Sequence, residues 1–233
     1  MGRAARLPGR VPTASKEVVR REEILRAAIE VFSKKGYRGC RIADVANEAG
    51  IAYGLVYHYF HNKDELLESV FQRGWSAFID RLKGAVAEES TLDEQIHAIV
   101  RIAFESYKNE PRTVKVLILE VGRSPAGGHV NRGTAFGEVI ALSSQLFIVA
   151  QKEGALDPAL DPRLCAAMLF GAIEMGLTAL VLGILDRTDE AVVNAAAHQV
   201  ADTFLHGLSL PKGKREPWPN MKSASKFKAA RAS

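Results

Sequence analysis

Ile42-Ala43-Asp44-Val45-Ala46-Asn47-Glu48-Ala49-Gly50-Ile51-Ala52-Tyr53-Gly54-Leu55-Val56-Tyr57-His58-Tyr59-Phe60 holds two short helical patterns around a tight turn. Residues 42–48 and about 52–60 carry helical spacing, and Ala49-Gly50-Ile51 separates them. Gly50 stands where the chain must reverse sharply, which suits a residue free of φ restrictions. Ile42, Val45, Ala46, Ala49, Ile51 and Val56 supply the small apolar core of such a unit. The pattern predicts a helix-turn-helix, whose second helix lies in a DNA major groove. Its start would present Ala52, Tyr53 and Gly54 to base edges, with Gly54 allowing close approach. Tyr57 and His58 carry donors suited to phosphate oxygens, and Lys63 adds a charge at the following helix. Helically spaced tyrosines are also commonly half-buried, so Tyr57 and Tyr59 are expected to share in the core.

The rest of the chain reads as helix too, nine in all, so the expected fold class is all-α. Ile24, Ala27, Ala28, Val31 and Phe32 share one face of a helix over 20–35, which Gly36 closes. Asn62-Lys63-Asp64-Glu65 is a capping box opening a long helix. Thr91-Leu92-Asp93-Glu94 opens the next, Pro111 another that ends near Gly122, and a further one spans about 130–152. Asp161-Pro162 starts an apolar helix reaching about Leu185, and the last covers about 189–206. Residues 1–19 read as a basic flexible arm and 210–233 as a basic disordered tail. Between them lie a DNA-binding unit over 20–72 and a second helical unit over 73–209.

The net charge of +4 is unevenly placed. Residues 1–21 carry six basic side chains against Glu17, and residues 211–233 carry seven against Glu216. Residues 22–210 hold 18 basic and 25 acidic ones. Basic ends on an acidic body suit a polyanionic partner, or simply solubilising tails. No apolar stretch follows the N-terminal arginines, so no secretory signal is read. Cys40 and Cys165 form no CxxC pair, in keeping with a reducing, cytoplasmic setting. Leu164–Leu185 is long enough to span a bilayer, with Glu174 its only charge. It also carries Ala167/Gly171, Ala172/Gly176 and Ala179/Gly183, small pairs that let helices pack closely. A buried interface helix is therefore expected, with no membrane partner. His58 and His61 lack a carboxylate or thiol to complete a metal site, so neither metal nor cofactor is expected. No GxSxG, P-loop, GxGxxG or HExxH occurs, so no enzymatic activity is read.

Residues 21–72 resemble the DNA-binding domain of the TetR family of regulators. The resemblance rests on Gly36-Tyr37, Ile42-Ala43-Asp44-Val45-Ala46, Ala49-Gly50-Ile51, Gly54, Tyr57-His58-Tyr59-Phe60 and Lys63-Asp64-Glu65-Leu66. The chain departs from the family at Cys40 and Arg41, where Thr or Ser usually caps the second helix and touches phosphate. Arg41 could meet a phosphate itself or pair with Asp44. Ala52 replaces the usual Ser, and Tyr53 a smaller or basic residue, so half-site preference does not carry over.

The resemblance implies a homodimeric, ligand-responsive regulator, a repressor released from a palindromic double-stranded DNA operator by a hydrophobic effector. It assigns residues 73–209 to ligand binding and dimerisation. Ala167, Gly171, Ala172, Gly176, Ala179 and Gly183 would face the partner in a four-helix bundle. Trp75, Phe78, Phe104, Tyr107, Phe136, Phe147, Met168 and Met175 would line an apolar cavity or fill the core. Glu174 must find a partner: a ligand, an arginine such as Arg101 or Arg123, or solvent at a bundle edge. Leu119-Glu120-Val121-Gly122-Arg123, Glu153-Gly154, Asp161-Pro162-Arg163-Leu164 and Phe170-Gly171 are similar to the branch that regulates fatty-acid degradation in response to long-chain acyl-CoA. Arg123 or Arg132 would then receive CoA phosphates. The alternative is a DNA-binding protein of the same fold whose second unit is filled and takes no ligand.

Overall fold

The computed structural model describes residues 16–88, 91–121 and 132–207. Among them are nine α-helices, a π-helical turn and no strand. The helices are α1 (Lys16–Gly39), α2 (Ile42–Glu48), α3 (Tyr53–Tyr59), α4 (Lys63–Glu88), α5 (Leu92–Asn109), α6 (Pro111–Val116), α7 (Arg132–Lys152), α8 (Pro162–Val181) and α9 (Glu190–His206). The all-α class and the helix count agree with the sequence reading. Residues 1–15 of the expected arm, the 210–233 tail and Arg123 lie outside the described residues.

Helix ends follow local chemistry. Helix α1 starts at Lys16, so residues 16–19 are helical rather than part of an arm; the last proline before them is Pro12, and Glu17 complements the first turn. It breaks at Gly36, whose φ of 72° needs glycine. At α4 the Asn62 side chain accepts from the Glu65 amide at 2.8 Å. Glu65 reaches one residue further back than expected, to the His61 amide at 2.7 Å. Thr91 and Glu94 cap α5 reciprocally, and Asp161 accepts from the Arg163 amide at 2.8 Å to start α8. The Arg163 side chain, with that amide, holds the Asp161 carboxyl down at about 2. Helix α8 stops at Val181, short of Leu185, because Gly183 turns to a φ of 71°. The Ile184 amide then bonds back to the Ala179 carbonyl at 2.8 Å. After α6, residues Leu117–Val121 widen into the π-helical turn.

Two hydrophobic cores form. Ile24, Leu25, Phe32, Val45, Val56 and Phe60 fill the first, between α1, α2 and α3. Ile96, Val100, Phe104, Phe147, Leu169 and Leu180 fill the second, between α5, α7, α8 and α9. Helix α4 supplies both: Leu66, Leu67, Val70 and Phe71 enter the first, Ile79 and Leu82 the second. Trp75 packs against each.

Helix α8 has a mean hydropathy of 2.0 and is long enough to cross a membrane. Here it packs on α7 and α9, and Ala166, Leu169, Ile173, Leu177 and Leu180 are buried. Its outer face shows Leu164, Met168, Met175 and Leu182. The six small residues divide. Gly171 has open space where a Cβ would stand, and Ala167 is exposed while Ala172 and Ala179 are half-buried. Gly176 instead faces inward: a Cβ there would lie 2.9 Å from Phe104 Cζ and 3.3 Å from Val200 Cγ2. Gly183 is the helix stop. Gly176 thus serves packing within the chain, and Gly183 is exposed at the end of α8. Gly176→Ala should cost about 1–3 kcal/mol in urea unfolding, since the buried Phe104 ring has nowhere to retreat. Gly171→Ala should leave the chain's own packing untouched, and equal losses in both variants would refute this division.

Candidate nucleic-acid interface and ligand cavity

Helices α2 and α3 are held by Ile42, Val45, Ala46, Val56 and Phe60, all buried. Between them Gly50 takes a φ of 65°, and the Ile51 amide bonds to the Ala46 carbonyl at 3.0 Å. This turn leaves Ala52, Tyr53, Gly54, Tyr57 and His58 exposed on one side of α3. A Cβ on Gly54 would meet nothing within 4 Å, so its own fold does not demand glycine there. The two tyrosines expected to share in the core separate: Tyr59 packs against it, whereas Tyr57 is 42% exposed. The Tyr53 hydroxyl donates to that of Tyr57 at 3.1 Å, with the rings edge-on at 5.1 Å.

The loss of a hydroxyl cap at Arg41 is made good by Asp44. Its carboxylate accepts the Arg41 amide at 2.7 Å and the Lys35 ammonium at 2.7 Å. Asp44 thus uses the backbone of Arg41 for hydrogen bonding, and the Arg41 side chain remains exposed. Lys63 also has partners within the chain. Its ammonium donates to the carbonyls of Tyr37 at 2.7 Å and Cys40 at 2.9 Å, and sits over the Tyr37 ring. These bonds latch α4 to α1 and use two of the ammonium's three donors. The Tyr37 hydroxyl donates to Asp64 beside it, and burial followed by that bond pushes the phenol above its usual range.

A cavity of about 220 Å³ lies between α4, α6 and α8. Trp75, Phe78 and Glu174 line it. Phe170, Ile173, Leu177, Val114, Leu117 and Ile118 complete its apolar wall. Phe104, Tyr107 and Phe147 do not reach it. Phe104 packs on Gly176, the Tyr107 hydroxyl points to the Leu180 carbonyl at 3.4 Å, and Phe147 packs on Phe204. Met168 and Met175 are 59% and 65% exposed on the far side of α8. The Phe136 side chain lies outside the described residues. Spacing could have separated the two faces: 170, 173, 174 and 177 share one side of the helix, while 164, 168, 175 and 182 share the other.

Three charged groups on the wall, Arg73, Arg81 and Glu110, were missed by the sequence reading. Arg73 and Arg81 of α4 face the cavity, with Glu110 and Glu174. Arg73 Nε pairs with Glu22 of α1 at 3.2 Å, and its buried Nη1 has no hydrogen-bond partner. Among the described residues no group of side chains is placed to hold a metal ion.

An exposed second helix of a helix-turn-helix, beside a helical body with an apolar cavity, is the architecture of a DNA-binding regulator. Residues 24–70 match the model for bacterial regulatory proteins of the tetR family, and 71–200 match that for the C-terminal region of YsiA-like proteins. The chain belongs to the TetR family of transcriptional regulators, which are not enzymes. It is 26% identical over 186 residues to the fatty acid metabolism regulator protein of Bacillus subtilis, covering 80% of this chain and 94% of that one. The fatty acid degradation regulator FadR of Bacillus halodurans superimposes with a TM-score of 0.75 at 25% identity, over 82% of this chain and 97% of that one. FadR of Bacillus subtilis, in complex with stearoyl-CoA, gives 0.73 at 25% identity, over 81% and 99%.

The Asp44 cap makes a pH prediction. Its carboxyl is held below the ordinary range, first by Lys35 and then by the Arg41 amide. Such a group stabilises the fold above its unfolded pKa, and that contribution disappears as pH falls through the lower folded value. Asp44→Asn should lower the Tm at pH 7, with the gap to wild type narrowing as melts are taken below pH 4. A gap independent of pH would show that the carboxylate charge is not what holds the start of α2.

Proposed function

We propose that the protein is a homodimeric repressor that binds a palindromic operator and is released from it by an acyl-CoA. The observation that carries this reading is the cavity walled by Trp75, Phe78, Phe170 and Leu177. It is apolar enough for an acyl chain and has arginines within it. Arg73 Nη1, a buried donor without a partner, suits a thioester carbonyl, since such a donor gains most from being satisfied. Arg81 suits CoA phosphates, a role the sequence also offers to Arg123 or Arg132. The cavity also speaks against a filled, ligand-independent relative of the same fold. Such a repressor works where the chromosome is, in the cytoplasm.

Two chains would pair through the outer face of α8, where Leu164, Met168, Gly171 and Met175 form an apolar stripe. Pairing places two copies of α3 on successive major grooves, which is why a palindrome is expected. An effector weakens DNA binding only by favouring a spacing of the two heads that does not fit those grooves.

A gel shift on DNA upstream of the protein's own gene, at fixed salt, tests the function. Long-chain acyl-CoA should raise the protein concentration needed for half-shift at least tenfold, and free CoA should not. A complex that persists at saturating acyl-CoA would contradict the effector while leaving DNA binding in place. The pairing is tested by Met168→Asp combined with Met175→Asp, both exposed in the single chain. Sedimentation should fall from twice the 25.4 kDa chain mass to that mass with helicity unchanged; a variant that stays dimeric would place the interface elsewhere.

A further inference from the structure

We propose that Tyr53 reads a thymine 5-methyl group, held in place by Tyr57, so that each half-site carries thymine opposite the start of α3. This rests on the DNA-binding reading above. The exposed side of α3 consists of Ala52, Tyr53, Gly54, Tyr57 and His58. It has no guanidinium, carboxamide or carboxylate, the groups that read guanine, adenine and cytosine through paired hydrogen bonds. Lys63, the nearest ammonium in sequence, is already bound to the carbonyls of Tyr37 and Cys40. What this surface offers in quantity is apolar area, and the base-edge feature that apolar area matches in the major groove is the thymine methyl.

Tyr53 is the side chain placed to supply it. It is 53% exposed, yet its orientation is fixed by the bond from its hydroxyl to Tyr57 and by the edge-on packing of the two rings. That bond engages the two hydroxyls with each other. One of the pair keeps a proton free for a phosphate, and the Tyr53 ring is the part left for recognition. Gly54 beside it adds no bulk, and a backbone this open lets the ring approach the base edge. His58 lies further along the helix, edge-on to Tyr59, where a polar contact to another base leaves the Tyr53 position unaffected.

The test begins with duplexes selected from a random pool by the full chain at fixed salt. The selected half-sites should share a thymine, and replacing their thymines with deoxyuridine, which removes only the methyl groups, should weaken binding roughly fourfold per methyl read. Tyr53→Phe should keep the thymine–uracil difference, because the ring remains. Tyr53→Ala should bind thymine and uracil duplexes alike. Equal affinity of wild type for the two duplexes overturns the inference while leaving DNA binding intact, as does a Tyr53→Ala variant that keeps the full difference. Failure to select any duplex at low salt overturns the DNA-binding reading itself.

Discussion

Helix α4 is about 39 Å long over its 26 residues and belongs to two hydrophobic cores at once. Leu66, Leu67, Val70 and Phe71 are buried among α1, α2 and α3, and Ile79 and Leu82 among the helices of the body. Its first turn is pinned to the end of α1 by Lys63 on two carbonyls and by the Tyr37–Asp64 bond. The reading head therefore has no orientation of its own; it takes the orientation of α4. The part of α4 that runs from the first core into the second, Val70 to Arg81, is also one wall of the cavity. Under the proposed function, a molecule entering there would act on the element that sets the head.

Further contacts join that wall to the head. Arg73 ties α4 to Glu22 of α1 at 3.2 Å, and Arg112 of α6 ties to Glu30 at 2.5 Å. Glu30 also meets Lys34 at 3.2 Å, and Lys34 approaches Glu48 of α2 at 3.9 Å. Ion pairs this exposed contribute little individually to stability, but they join the cavity wall to the head without blocking movement. Gly74 permits the close passage of α4 past the π-helical turn, since a Cβ there would stand 3.1 Å from Leu117 Cδ1. A wall built from a close glycine contact, a π turn and surface charges can shift at lower cost than a packed core.

The sequence made the head readable because its signals are local. Gly50, the apolar spacing of α2 and α3, and the caps at Asn62 and Thr91 act within a few residues of themselves. The body was harder. Apart from Arg163, Glu174 and Thr178 the residues of α8 look apolar in the chain, and the placing of Gly176 against Phe104 and of Met168 towards solvent shows which face is which. The bonds that Lys63 makes within the chain were not legible because its carbonyl partners sit 23 and 26 residues earlier. Arg73 and Arg81 drew no attention, as charged residues on a long helix usually face water. Their meaning depends on what α6 and α8 bring opposite them.

The central claim is that the cavity and the reading head move together through α4. Spin labels on the exposed Asn47 of α2, introduced as Asn47→Cys with Cys165→Ser, report the distance between the two heads of the dimer by pulsed electron resonance. The account predicts that saturating acyl-CoA shifts this distance away from the value seen with operator bound. The same distance in both states, with acyl-CoA demonstrably bound, would contradict it.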